Sequence, residues 1–136
     1  MGQQQLLLLV MGIVIVGFAV IAGFAMAQST LRQTTVDNLV DRNLTIATDA
    51  VYWKTKRDPF NGGNASYAGL ATDGMQKLFL GEETHVGFFK ITGASVDDLE
   101  ITAVSLRFPE IGVRTLVEGY EIVSTVTAYD GSITAE

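Results

Sequence analysis

The hydrophobic pattern divides the chain at Ala27. Residues 6–27, LLLLVMGIVIVGFAVIAGFAMA, are twenty-two uncharged and almost wholly apolar positions, and the first charged side chain is Arg32. As an α-helix this run measures about 33 Å, enough to cross a hydrocarbon core of about 30 Å. Thirteen of its residues are Leu, Ile, Val or Phe. Each contributes about −0.3 to −0.6 kcal/mol near a bilayer centre, so insertion is favourable by several kcal/mol.

From Gln28 the pattern becomes amphipathic. Leu31, Val36, Leu39, Val40, Leu44, Ala47, Ala50 and Val51 recur at steps of three and four, with Arg32, Asp37, Asp41, Arg42 and Asp49 largely between them. No Pro or Gly interrupts residues 24–58, so one helix is predicted from the apolar run to about Lys56. Pro59 disfavours the helical region for Asp58, and Asn61-Gly62-Gly63-Asn64 reads as a turn-rich loop. Tyr52 and Trp53 precede that stop and read as aromatic cover for the base of a packed head. Lys54, Lys56 and Arg57 read as a basic run that complements the helix dipole.

Residues 70–80, LATDGMQKLFL, predict a short helix opening at Thr72 or Asp73, with Met75, Leu78 and Phe79 packed inward. Beyond Gly81 the period becomes two. Val86–Thr92, Leu99–Phe108, Gly112–Val117 and Tyr120–Tyr129 are rich in β-branched and aromatic residues, and Glu118-Gly119 reads as a hairpin turn. The alternation is not clean, which predicts partial cover on both sheet faces, by the helix on one and by neighbouring subunits on the other. The expected fold is α+β, with a long N-terminal helix packed through its amphipathic half on a mainly antiparallel C-terminal sheet of about four strands. Residues 1–27 are expected to form a transmembrane or filament-core helix and residues 28–136 the head.

Charge sharpens this division. All 24 charged residues, 15 acidic and 9 basic, lie from Arg32 onward, so the head carries the whole net charge of −6. That sign, with no basic patch interleaved with aromatics, disfavours nucleic-acid binding. The chain has no cysteine, which excludes disulfides, thiolate catalysis and cysteine-ligated metals.

Within the apolar run, Ala25-Met26-Ala27 before Gln28 presents a small-x-small cleavage pattern. No Lys or Arg lies among residues 1–5, and the run is longer than a usual signal core, so retention of the segment is expected. Gly12, Gly17 and Gly23 fall five and six apart, unlike the small-xxx-small spacing of a tight dimer seam. Each costs roughly 1 kcal/mol of helix stability against Ala and marks a place where the helix can melt. Gln3, Gln4 and Gln5 are uncharged amides that can be buried by pairing with one another or with free backbone groups, at far lower cost than lysines.

Catalytic chemistry finds few candidates. His85 is the single histidine, and with Glu82, Glu83 and Thr84 it reads as a solvated turn. Asp97-Asp98 with Glu100 lacks the ligand count and glycine placement of a calcium loop. No nucleophile elbow, P-loop or dinucleotide fingerprint occurs, so an enzyme is not expected, nor are a cofactor or a metal. Asn43-Leu44-Thr45 and Asn64-Ala65-Ser66 match the N-glycosylation pattern. Asn64 falls in a predicted exposed loop and is the better acceptor for a glycan, whereas Asn43 falls within the helix.

The succession of apolar helix, amphipathic helix, loop and C-terminal sheet resembles type IV pilins and their pseudopilin relatives. The phrase GQQQLLLLVMGIVIVGFAVIAGFAM is similar to the N-terminus of a group of short bacterial proteins with this layout. Tyr52-Trp53-Lys54, the loop Asn61–Asn64 and Ser66-Tyr67-Ala68-Gly69-Leu70 match further phrases of that group. Two features depart from the family pattern. Type IV pilins generally carry Glu as the fifth mature residue, where this chain has Gln5 if Met1 is the mature start and Leu7 if processing follows Gly2. The helix-kinking Pro of bacterial pilins is replaced in its region by Ala22-Gly23.

The resemblance implies a subunit of an extracellular helical filament on the cell surface, inserted in the inner membrane before assembly. Its partners would be further copies of itself and the pilus assembly machinery, and its role adhesion, motility or uptake. The filament-core positions implied are Met1, Gln3, Gln4, Gln5, Leu6, Leu9, Ile13, Val16, Phe18, Ile21 and Phe24. The alternatives are a minor pseudopilin of a secretion system and a single-pass anchored binding protein. Arg32 and Arg42 follow the span, a bias that favours a cytoplasmic head for the second alternative.

Overall fold

The computed structural model describes residues 2–135, so Met1 lies outside the described residues. Its elements are helix α1 (Gly2–Thr55), a 3-10 turn (Ala68–Leu70), a one-turn helix α2 (Gly74–Lys77) and strands β1 (Gly87–Ala94), β2 (Asp98–Ser105), β3 (Gly112–Glu118) and β4 (Glu121–Ala128). The strands form one antiparallel meander in the order β1-β2-β3-β4. This is the expected α+β arrangement of a long N-terminal helix and a four-stranded antiparallel sheet.

The chain forms two compact units, Met1–Thr34 and Thr35–Glu136. The division falls later than Ala27 because Gln28–Thr34, although more polar, remain exposed helix. Thr30 and Thr34 hydroxyls there donate to the carbonyls of Met26 and Thr30, the back-bonding by which a threonine satisfies its hydroxyl within a helix.

In the second unit Leu39, Asn43, Ile46, Ala47, Ala50 and Trp53 form the buried stripe of α1. They share a core with Phe89, Ile91, Leu99, Ile101, Ala103, Val113 and Val117 of the sheet. The predicted stripe needs two corrections. Leu31 and Leu44 are exposed, while Ile46 and Asn43 take buried positions. Asn43 occupies an apolar phase of the helix, four residues from Leu39 and from Ala47. Its Nδ2 donates to the Val113 carbonyl at 3.4 Å and the Thr115 hydroxyl at 3.3 Å.

The β3–β4 hairpin turns through Gly119-Tyr120, with Glu118 opposite Glu121 and Gly119 at φ +62°. Glycine with positive φ at the first central position suits a type II′ turn, whose twist matches the strands. Strand β2 ends at Ser105, short of the predicted Phe108. There the Ser105 hydroxyl accepts from the Phe108 amide, and the Ile111 amide bonds back to the Phe108 carbonyl ahead of β3. The helix predicted over 70–80 shrinks to α2. It ends in a Schellman motif in which the Phe79 amide donates to the Gln76 carbonyl and the Leu80 amide to the Met75 carbonyl. Phe79 takes the left-handed position at φ +59° and is 89% exposed. It therefore points out of the core it was expected to enter, whereas Met75 is buried.

Candidate functional site

The first unit is a helix with apolar side chains on every side. Its large apolar residues from Leu6 to Met26 are 49–73% exposed, and an eighteen-residue window reaches a mean hydropathy of 2.9 with none of it buried. Leu6, Leu9, Ile13 and Val16 follow one another at steps of three and four and share a face. Phe18, at 100° per residue, lies on the opposite side. A paired seam would need one stripe; a helix apolar all round needs cover all round, from lipid or from several protein neighbours. By length and composition the segment can cross a membrane.

Other sequence-predicted positions lie on the same helix. Gln3, Leu6, Leu7 and Val10 line one shallow groove, and Gln3, Gln4, Leu7 and Leu8 another. Gln5, Ile21 and Phe24 are exposed. Gly12, Gly17 and Gly23 have open space where a side chain would stand.

The second unit has its most constructed polar centre at the end of α1, at a residue the sequence reading gave only a dipole role. Lys54 is 1% exposed. Its ammonium donates to Asp97 Oδ1 at 3.1 Å and to the Gly119 carbonyl at 3.2 Å. It also lies 4.5 Å from the Tyr67 ring centroid and 4.7 Å from that of Tyr120, within cation–π range. The Tyr67 hydroxyl donates to the same Gly119 carbonyl at 2.7 Å. Burial pushes the Tyr67 phenol up to about 12, with Tyr120 and Asp97 adding to the rise.

Trp53 lies beside this centre in a slot formed by two glycines. A Cβ on Gly63 would come within 2.8 Å of its ring and one on Gly69 within 2.7 Å. These contacts account for the Gly-rich loop and for the Ser66–Leu70 phrase, in which Tyr67 ties to the hairpin, Gly69 admits the indole and Leu70 is buried. Lys54 lies four residues beyond Ala50 on the buried stripe of α1, and that phase was the signal in the sequence that it faces inward.

The remaining candidates are dispersed. His85 is exposed beside a groove of about 420 Å³ lined also by Asn38, Asp41, Arg42 and Thr45. Asp97 is committed to Lys54, Asp98 to Ser95, and Glu100 to Thr92 and Arg114. Among the described residues no three His, Cys, Asp or Glu side chains are grouped to hold a metal ion. Asn64 is exposed in a left-handed turn at φ +50°. Asn43 is corrected as a glycosylation candidate, because its amide is buried against β3 and has no room for a sugar. Comparison with protein-family models, with curated proteins and with solved structures gives no match to this chain.

Proposed function

We propose that the chain is the structural subunit of a helical filament on the cell surface, inserted in a membrane before assembly and extracted from it by packing against other copies. The observation that carries this reading is the helix surface from Leu6 to Met26, apolar on every side and exposed along its whole length. Lipid covers such a surface before assembly, and identical helices cover it afterward with little change in apolar environment. A heterologous contact that does not close produces an open fibre. The acidic heads then form the outer surface, and the net charge of −6 keeps them soluble. The partners in this reading are further copies of the chain and the machinery that lifts them from the membrane.

Three details support the assembly step. The segment lacks charge, so no counter-ion has to be found in the core. Gln3, Gln4 and Gln5 can pair as neutral amides. The open space around Gly12, Gly17 and Gly23 lets neighbouring backbones approach and lets the helix unwind locally. Shearing intact cells and imaging the released fraction tests the reading: fibres containing this chain are expected, and a chain found only in membranes would refute it.

A second reading, a single-pass anchor carrying a binding head, is favoured by Arg32, which follows the apolar run while residues 2–31 carry no charge. That bias would hold the head in the cytoplasm. Protease treatment of intact cells separates the two, since a filament subunit's head is cut and a cytoplasmic head is protected.

A further inference from the structure

A groove of about 220 Å³ in the head, outside the surfaces used above, is lined by Asp49, Tyr52, Trp53, Lys56, Asn61, Lys77, Leu78 and Phe79. Two aromatic side chains of this lining stand in solvent, Tyr52 at 69% and Phe79 at 89% exposure. Phe79 is also held where glycine is the ordinary residue: it is the left-handed residue closing α2, at φ +59°. A bulky residue there opposes local backbone preference, and its ring gains no burial within the head. Strain of this kind gathers at ligand sites.

The groove's polar groups indicate the ligand class. Asp49 supplies acceptors, Asn61 supplies both donors and acceptors, and Lys56 supplies donors, beside aromatic surface. The Lys77 ammonium donates to the Gly69 carbonyl, which takes up one of its protons and leaves its charge. Among the described residues the lining thus carries two ammoniums and one carboxylate. A single excess positive charge gives weak attraction for a phosphate backbone on a chain of net charge −6, and an apolar segment would leave the polar rim without partners. A ring with an apolar C–H face and hydroxyls around its edge satisfies both parts. The volume lies below the about 300–1,000 Å³ of pockets for drug-sized ligands, which suits a single sugar ring of a longer chain. We propose that this groove binds the pyranose ring of a neutral oligosaccharide, with Tyr52 and Phe79 as ring platforms and Asp49, Asn61 and Lys56 bonding to its hydroxyls. The inference does not depend on filament assembly.

Trp53 is the only tryptophan of the chain and lines the groove, so its emission reports occupancy. The test uses the full chain in a polyoxyethylene detergent, because sugar-headed detergents would compete, titrated with cellohexaose, maltohexaose and an oligothymidylate. A saturable change with at least one hexaose and none with the oligothymidylate is expected. Phe79→Gly and Tyr52→Ala should each weaken binding by about tenfold or more. Phe79→Gly relieves the left-handed position and should unfold at a higher temperature than the parent chain, so its loss of binding cannot come from loss of fold. No saturable change with either hexaose, saturable binding of the oligothymidylate, or hexaose binding that both variants leave unaltered would overturn the proposal.

Discussion

Replacing Lys54 tests how the head is held together at the end of α1. The buried ammonium has an ion pair with Asp97 at 3.1 Å, a bond to the Gly119 carbonyl at 3.2 Å and two aromatic rings at 4.5 and 4.7 Å. Asp97 is 74% exposed, so its attraction is screened and contributes about 0.2–1 kcal/mol. The ring contacts add about 0.5–1 kcal/mol each, and a charged donor to a carbonyl adds about 1.5–3 kcal/mol. Desolvation of the ammonium offsets several kcal/mol of this. The expected ranking follows. Asp97→Ala costs less than about 1 kcal/mol, because only the screened pair is lost. Lys54→Met costs about 1–2 kcal/mol, since the stem stays and the ammonium goes. Lys54→Ala costs about 3–4 kcal/mol by adding a cavity at a buried position. Thermal unfolding of the full chain in detergent, followed by near-ultraviolet circular dichroism, reads these as about 4–8 °C per kcal/mol for a unit near this size. Lys54→Met melting at or above the parent temperature would refute the anchoring role, and Asp97→Ala matching Lys54→Ala would show that the ion pair dominates after all.

Other consequences are as specific. Gly63→Ala places a Cβ 2.5 Å from the Ser66 carbonyl oxygen and 2.8 Å from the Trp53 ring, and should cost about 1–3 kcal/mol in the same melting assay. In contrast, Ala at Gly12, Gly17 and Gly23 meets nothing within 4 Å; the triple variant should insert normally in membranes, with each helix site about 1 kcal/mol more stable, yet yield fewer fibres per cell if local melting serves assembly. Folding raises Tyr67 from its ordinary 10.0 to about 12, so its contribution is complete below pH 10 and is lost as pH rises from about 10 through 12. Tyr67→Phe should melt about 1 kcal/mol lower at neutral pH, for want of the bond to Gly119, and show a smaller alkaline loss in a pH series of melting curves. Because residues 2–31 carry no charged side chain, fibres cored by them should survive a change from about 0.01 to 1 M salt, over which the Debye length falls from about 30 to 3 Å; dissociation at high salt, seen by sedimentation, would show that ion pairs hold the subunits.

The periodic features of the fold were legible in the sequence. The stop before Pro59 is seen at Thr55, one residue from the expected Lys56, and the Glu118-Gly119 signal marks a true hairpin. What polarity concealed, phase contained. Asn43 and Lys54 lie four residues from Leu39 and Ala50 respectively, so both fall on the buried stripe, whereas residue type alone suggested a glycan acceptor for Asn43 and a dipole partner for Lys54. Leu44 is apolar but one position out of phase, and it stays exposed. Phe79 points outward because its direction depends on a left-handed helix closure, a position at which glycine is the ordinary residue. Its meeting with Tyr52 and Asn61 joins three separate segments, which no spacing along the chain encodes. The apolar run, by contrast, was legible as a helix, and it is one, continuous with the amphipathic half over Gly2–Thr55.

If copies of Leu6–Ala27 cover one another in a fibre core, electron cryomicroscopy of sheared, detergent-washed surface material will show it. The expected fibres have a core of bundled helices traceable as residues 6–27, with the four-stranded heads outside. Detergent that dissolves this chain into single copies, with no fibre bearing it, would refute packing of these helices as the basis of assembly.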